Sequence, residues 1–208
     1  EEALKTMNKN VNLRISIENY FEAIANIRKH GLAVWGTMVF GNDADTPETF
    51  NQVADFVLDS HVDIMTCGIL CPFINTPLYH RLNGDGRLFR TNFPEDWMYY
   101  TSHHLTYVLK NMSLQELIDG FQYLYDKIYS TEVLRQRFQN AKEVHKDNMN
   151  AAMFAFRVNL DWQSVYQHLI QNLKELQASG FYDEALKRCS ALKKQGKKVE
   201  LTPIEVSS

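Results

Sequence analysis

The sequence predicts an α/β unit followed by a mostly α-helical extension, and three observations carry that prediction. Between Gly31 and Tyr79 the hydrophobic period changes three times, from a continuous apolar run to a helical stripe and back to an apolar run. Clusters of turn residues separate these runs. After Asn111 the apolar residues recur only at helical spacing.

Taken in order, Ile17, Tyr20, Phe21, Ile24 and Ile27 form the stripe of a first helix, with Ser16 placed to cap it and Gly31 just past its end. Leu32 to Phe40 is nearly all apolar, β-branched or aromatic, the pattern of a strand buried on both faces. Asn42 to Asp45 is turn chemistry. Thr46-Pro47-Glu48 then starts a helix: a hydroxyl to cap, a ring pre-set for the first helical position and an acid against the helix dipole. Phe50, Val53, Ala54 and Val57 give that helix one apolar face. Val62 to Phe73 is the second apolar run, so the unit closes as a right-handed crossover between parallel strands. In such architecture ligands bind at the C-terminal ends of the strands, here Gly41 to Asp45 and Cys71 to Thr76.

Thr76-Pro77 repeats the helix-start pattern for a short helix to about Leu82, which Asn83-Gly84-Asp85-Gly86 terminates. Arg87 to Tyr100 is aromatic and irregular, and His104 to Leu109 is expected as a last extended piece. Ser113 and Glu116 form a capping box, with Met112 and Leu117 as its hydrophobic staple. Behind it Leu114, Leu117, Phe121, Leu124 and Ile128 share one face. Further stripes run through Trp162, Val165, Tyr166, Leu169, Leu173 and Leu176, and through Tyr182, Ala185, Leu186 and Cys189. Lys193 to Lys198 reads as a solvated basic end and Leu201 to Ser208 as a frayed tail.

The 208 residues are 45% apolar, enough for a sizeable core, and the net charge of −3 with both signs interspersed provides no basic field for nucleic acid. No apolar run approaches the ~20 residues of a membrane helix, so no membrane partner is expected. The three cysteines, at 67, 71 and 189, do not make a disulfide framework and suggest a reducing compartment. A cytoplasmic protein is the expectation. The chain opens without Met on a stretch that already reads as helix, as a piece of a longer protein would.

Several segments together resemble one family. EEALKTMNKNVNL is similar to the segment after the fourth barrel strand in radical S-adenosylmethionine enzymes. AVWGTMVFGNDADTPETF resembles their fifth strand and its loop, GILCPFINTPLYHRL their sixth strand and its proline-rich exit. KNMSLQELIDGFQYLYDKIYS resembles the helix after the barrel in the cobalamin-binding branch, which includes Mg-protoporphyrin monomethyl ester cyclases and various methylases. The likeness covers Glu1 to Ser130, in order.

That resemblance implies the C-terminal strands and helices of a partial TIM-type barrel over 1–110, a helical extension over 111–200 and a tail over 201–208. In the parent enzyme three thiolates of a CxxxCxxC loop hold a 4Fe-4S cluster that cleaves S-adenosylmethionine, and the resulting 5′-deoxyadenosyl radical takes a hydrogen from an organic substrate. Cobalamin is the further cofactor of this branch. The implied partners are the N-terminal barrel half, a cobalamin-type domain and a small organic substrate. Gly36, Gly41 and Pro72 fall on family positions that approach the adenosyl group, two of them lacking a Cβ. Cys67-Gly-Ile-Leu-Cys71 has the first spacing of the cluster loop but Ile74 where a third thiol is needed. The pair therefore reads as core, the metal role is expected to be none in this chain, and the chain alone is expected to be inactive and to hold no cofactor stably.

Other residues have structural readings beside functional ones. Asp43 and Asp45 lie at a strand end but are common turn formers. His103 and His104 are adjacent and so point apart on any regular element. Trp97, Tyr99 and Tyr100 suit contact with a flat substrate, although closing the bottom of a barrel is the preferred reading. The alternative function is a non-enzymatic interaction module, the helical half standing on an α/β platform. The two readings differ in where they leave an exposed apolar patch: near Leu32 to Phe40 for the enzyme piece, on the Trp162 helix for the module.

Overall fold

The computed structural model describes residues 17–195, with side chains from residue 19. The opening segment, the Ser16 cap and the tail after 195 lie outside the described residues. In chain order the elements are α1 (Ile17–Lys29), β1 (Trp35–Phe40), α2 (Glu48–Ser60), β2 (Ile64–Ile69) and α3 (Pro77–Gly84). There follow a 3-10 turn (Glu95–Tyr99), α4 (Leu114–Leu124), a π turn (Tyr125–Tyr129), α5 (Thr131–Val144), α6 (Met149–Ala178) and α7 (Phe181–Lys194). The fold is mixed α/β and mostly helical.

β1 and β2 pair in parallel across the α2 crossover, with Trp35 opposite Ile64 and Phe40 opposite Ile69. They are the only strands of the sheet among the described residues. A partial barrel is therefore not displayed by these residues, and His104 to Leu109 contributes no strand: its one ladder contact is an antiparallel bridge from Tyr107 to Leu88.

Strand periodicity assigns two faces to this sheet. Phe40 stacks on Phe50 of α2 at 4.3 Å and meets Phe121 of α4 edge-on at 5.5 Å, so Gly36, Met38 and Phe40, with Met65, Cys67 and Ile69, face the helices. Trp35, Thr37 and Val39, with Ile64, Thr66 and Gly68, take the other face. β2 is buried along its whole length, whereas Trp35 and Thr37 are exposed. The expectation that Leu32–Phe40 is buried on both faces is thus corrected. Among the described residues β1 has a neighbour strand on one side only, and its second face is open at Trp35 and Thr37.

Local signals explain several element ends. Thr76 Oγ1 accepts from the Tyr79 N–H and starts α3, and Ser113 with Glu116 makes both arms of the capping box that starts α4. Thr46 does not cap α2: its own N–H donates to Thr49 Oγ1, and Pro47 occupies the capping position without a side-chain bond. β2 stops at Ile69, shorter than the apolar run that suggested it, because the chain turns at Cys71 to Thr76.

One core runs through both halves of the chain, from Phe40, Phe50 and Val57 through Leu117, Phe121 and Ile128 to Tyr166, Leu169, Leu173 and Cys189. Gly120 of α4 sits so close to the Phe50 ring that any Cβ there would collide with it. The expected stripe on α7 holds for Tyr182, Ala185 and Cys189, while Leu186 is exposed.

Candidate functional site

The C-terminal ends of β1 and β2 lie side by side, since the strands are parallel and in register to their last residues. At the end of β1, Gly41 adopts φ +98°, a conformation that side chains disfavour, and an added Cβ would lie 2.6 Å from the Tyr107 hydroxyl. That hydroxyl donates to the Gly41 carbonyl at 2.9 Å. Asp45 turns back and accepts from the Gly41 and Asn42 N–H groups, both at 2.9 Å, and burial pushes its carboxyl up against the pull of those bonds. Asp43 pairs with the buried Arg87 at 2.7 Å, and Arg87 also donates to the Val108 carbonyl. The acids of this loop shape it, as the turn reading requires.

Gly36 lies on the helix-facing side, where an added Cβ would stand 2.8 Å from the Met65 sulfur. At Gly41 the positive φ favours glycine independently of any ligand, whereas at Gly36 the near atom belongs to a flexible methionine side chain that can give way. Pro72, at the exit of β2, is buried. The three residues thus sit at the second position of β1, just past the end of β1 and past the end of β2, so Gly36 lies near the opposite end of the strand from the other two.

The opposite face of the sheet carries a polar row that sequence reasoning missed. The Trp35 indole N–H donates to Thr66 Oγ1 at 3.2 Å, and the Thr66 hydroxyl lies 3.3 Å from that of Thr37. The signal was present as period-two alternation, Trp35, Thr37 and Val39 against Gly36, Met38 and Phe40.

Cys67 is buried against Tyr166 on the helix side, and burial pushes its thiol up to about 12. Cys71 is half-buried past the strand end, with its thiol raised to about 11 for the same reason. The two therefore occupy different environments, one in the helix-side core and one in the exit loop. Among the described residues no group of three or more His, Cys, Asp or Glu is placed to hold a metal. These residues do not fit a cluster-binding loop. His104 bonds Thr101 through Nδ1 while His103 packs toward Trp162 at 6.2 Å, and partial burial lowers both imidazoles from their usual range.

The aromatic segment occupies the other end of the sheet from the one expected. Ile69 donates to the Ser102 carbonyl at 2.7 Å, and a Cβ on Gly68 would stand 2.8 Å from that of Ser102. Tyr100, Phe93 and Trp97 therefore stand beside the C-terminal end of β2 rather than closing a bottom, because the chain after α3 returns across the strand exit. A small cavity of about 20 Å³ lies at the opposite end, lined by His61, Asp63, Arg137 and Asn140 among others. Its place at the entry of β2 separates it from the strand-end site.

The family described as a domain of unknown function, DUF4070, matches residues 76–192. The bacteriochlorophyllide d C-12(1)-methyltransferase of Chlorobaculum tepidum is 28% identical over 136 residues, covering 65% of this chain and 28% of that protein. The hopanoid C-2 methylase of Rhodopseudomonas palustris is 27% identical over 168 residues, 77% of this chain and 31% of its own length. A bacteriochlorophyllide d C-8(2)-methyltransferase of Chlorobaculum tepidum is 28% identical over 132 residues, 62% of this chain and 28% of that protein. The chain spans about a third or less of the length of these relatives. No solved structure matches it. Among the described residues no helix is long and apolar enough to cross a membrane.

Proposed function

From a chain that belongs to the DUF4070 family and to the cobalamin-binding branch of the radical S-adenosylmethionine enzymes, we propose that these residues form the late-barrel wall and helical support of a methylase. In this reading β1 and β2 are the last strands of a partial TIM-type barrel over 1–110, and 111–200 is the extension that buttresses them. The parent uses S-adenosylmethionine, a 4Fe-4S cluster and cobalamin. Its substrate is a large ring-containing lipid or pigment of the kind the relatives' names describe.

The observation that carries the reading is the open face of β1. Leu32 and Trp35 are 60% and 51% exposed, and the strand has no described neighbour on its outer edge. A strand of this composition suits a place where a further strand and a ligand cover it. Gly41 and Pro72 lie at the strand ends where α/β proteins bind ligands, and Gly36, near the start of β1, would contribute through its main chain along the strand. In this reading the cluster chemistry falls to the rest of the parent, and the chain binds and walls rather than generates the radical. Alone it is inactive. Met153 and Phe154, 52% and 56% exposed at the start of α6, support the second reading, a docking role for the helical half.

Photolabelling of the full-length parent with 8-azido-S-adenosylmethionine tests the proposal. Labelled peptides from Gly36–Asp45 or Cys71–Thr76 are expected; labelling confined to α5, α6 or α7 would overturn it.

A further inference from the structure

The loop after β1 is held from outside by three side chains of the segment 87–111. Tyr107 donates its hydroxyl to the Gly41 carbonyl at 2.9 Å, Arg87 pairs with the Asp43 carboxylate at 2.7 Å, and Asn111 donates to the Asp43 carbonyl. Arg87 and Tyr107 stand on a two-rung ribbon, in which the Val108 N–H donates to the Arg87 carbonyl at 2.9 Å and the Phe89 N–H to the Thr106 carbonyl at 3.1 Å. Helix α7 braces that ribbon. The Leu109 N–H donates to the Tyr182 hydroxyl at 3.0 Å, Arg188 donates to the Leu88 carbonyl at 2.8 Å, and Phe89 meets the Phe181 and Tyr182 rings edge-on at 5.7 and 5.9 Å.

Two features exceed what closing a turn requires. Asp45 already closes the loop from within, through the Gly41 and Asn42 N–H groups. Yet Arg87 is buried and its Nη2 has no partner, an unfavourable arrangement that a purely structural side chain has no reason to keep. The clamp also takes only the carbonyl and carboxylate of Asp43. Among the described residues the Asp43 N–H has no partner, and Asp43 and Ala44 are the half-buried members of the otherwise buried stretch Gly41–Asp45. A backbone donor is thus left free at the strand-end site. We propose that Arg87 and Tyr107 are positioning residues, which act through Asp43 and Gly41 to hold this loop ready for the ligand of that site. The inference rests on the reading that S-adenosylmethionine binds there, and it gives the helical half a part in binding: α7 fixes the ribbon, and the ribbon fixes the loop. Pre-organisation of this kind raises affinity by removing the cost of ordering the loop when the ligand arrives.

The full-length parent is titrated with S-adenosylhomocysteine, an unreactive stand-in for the cofactor, and the melting temperature of each ligand-free variant is recorded beside its affinity. Arg87→Gln and Tyr107→Phe are each expected to weaken binding at least tenfold. Arg87→Lys, which keeps a cation beside Asp43, is expected to lose less than Arg87→Gln. Arg87→Gln combined with Asp43→Asn is expected to lose no more than the larger single loss, because the two residues act as one unit. Asp63→Asn, at the opposite end of the sheet, is expected to lower the melting temperature and leave affinity unchanged. Should Arg87→Gln fail to fold, Tyr107→Phe, which deletes one hydroxyl, decides. Wild-type affinity in Arg87→Gln or Tyr107→Phe overturns the inference, and so does an equal loss in Asp63→Asn, since affinity would then merely follow stability. Photolabelling of the wild-type parent separates the two readings: label at the strand ends with unimpaired variants removes the inference alone, whereas label confined to α5, α6 or α7 removes the reading beneath it.

Discussion

His145 places Nε2 3.0 Å from Oδ1 of Asp63, a contact between residues 82 positions apart whose side chains are both fully buried. The same carboxylate accepts from Arg28 Nε at 3.1 and 3.2 Å and from the Val34 N–H at 2.9 Å. The Asp63 carbonyl takes Asn159 and Arg137. One residue at the entry of β2 therefore joins α1, the residue before β1, α5 and α6, so this buried polar cluster ties the α/β unit to the helical half alongside their shared apolar core.

Removing that carboxylate leaves the Arg28 guanidinium buried without its partner. Breaking a buried pair from one side costs about 3–5 kcal/mol. Asp63→Ala is expected to lose that much stability in urea denaturation, far more than any exposed acid replaced by Ala.

The capping box of α4 predicts a smaller loss. Ser113→Ala removes the hydroxyl that accepts from the Glu116 N–H, at a cost of about 1 kcal/mol. The backbone N–H of Ser113, and then its hydroxyl, hold the Glu116 carboxyl below its usual 4.5. A lowered folded pKa contributes stability that is present above the unfolded value and lost as pH falls through the folded one. The difference in melting temperature between the wild type and Glu116→Gln is therefore expected to shrink on acidification below 4.5.

At Gly120 two effects oppose each other. Alanine improves helix propensity by about 1 kcal/mol, but its Cβ collides with the Phe50 ring, which is locked between Phe40 and Phe121. Overpacking a filled core costs about 1–3 kcal/mol, so the collision wins. Gly120→Ala is expected to lower the denaturation midpoint, and an unchanged or raised midpoint would contradict the packing described.

The thiols separate by place. Cys67 is buried with its thiol raised to about 12, and Cys71 is half-buried with its thiol raised to about 11. Thiolate is the reactive form. Iodoacetamide is expected to modify Cys71 slowly at neutral pH and faster as pH rises, and to reach Cys67 only on unfolding, as mass spectrometry of native and denatured samples would show.

Short-range chemistry was legible in the sequence. The box at Ser113, the Thr76 start of α3 and the apolar face of Phe50, Val53, Ala54 and Val57 depend on residues within one or two turns, and each stands as read. What depended on distant neighbours was not. The apolar run Leu32–Phe40 reads as covered on both faces although only a neighbour outside it decides that, and its one polar residue, Thr37, is a faint sign of the open face on which Trp35 stands exposed. The aromatic segment was assigned to the wrong end of the sheet because its position is set by Ser102 meeting Ile69, 33 residues earlier. Asp63 carried no motif at all: its importance comes from Arg28 and His145, which lie on separate helical segments. The family likeness came through ordered short phrases, and that is why it survived the missing architecture.

Hydrogen–deuterium exchange of the full-length parent, with and without S-adenosylmethionine, tests the central claim most directly. The account predicts slowed exchange in Gly36–Asp45 and Cys71–Thr76 on cofactor addition, with the interior of α6 unchanged. Unaltered exchange in both strand-end segments, with protection appearing only within 131–194, would contradict it.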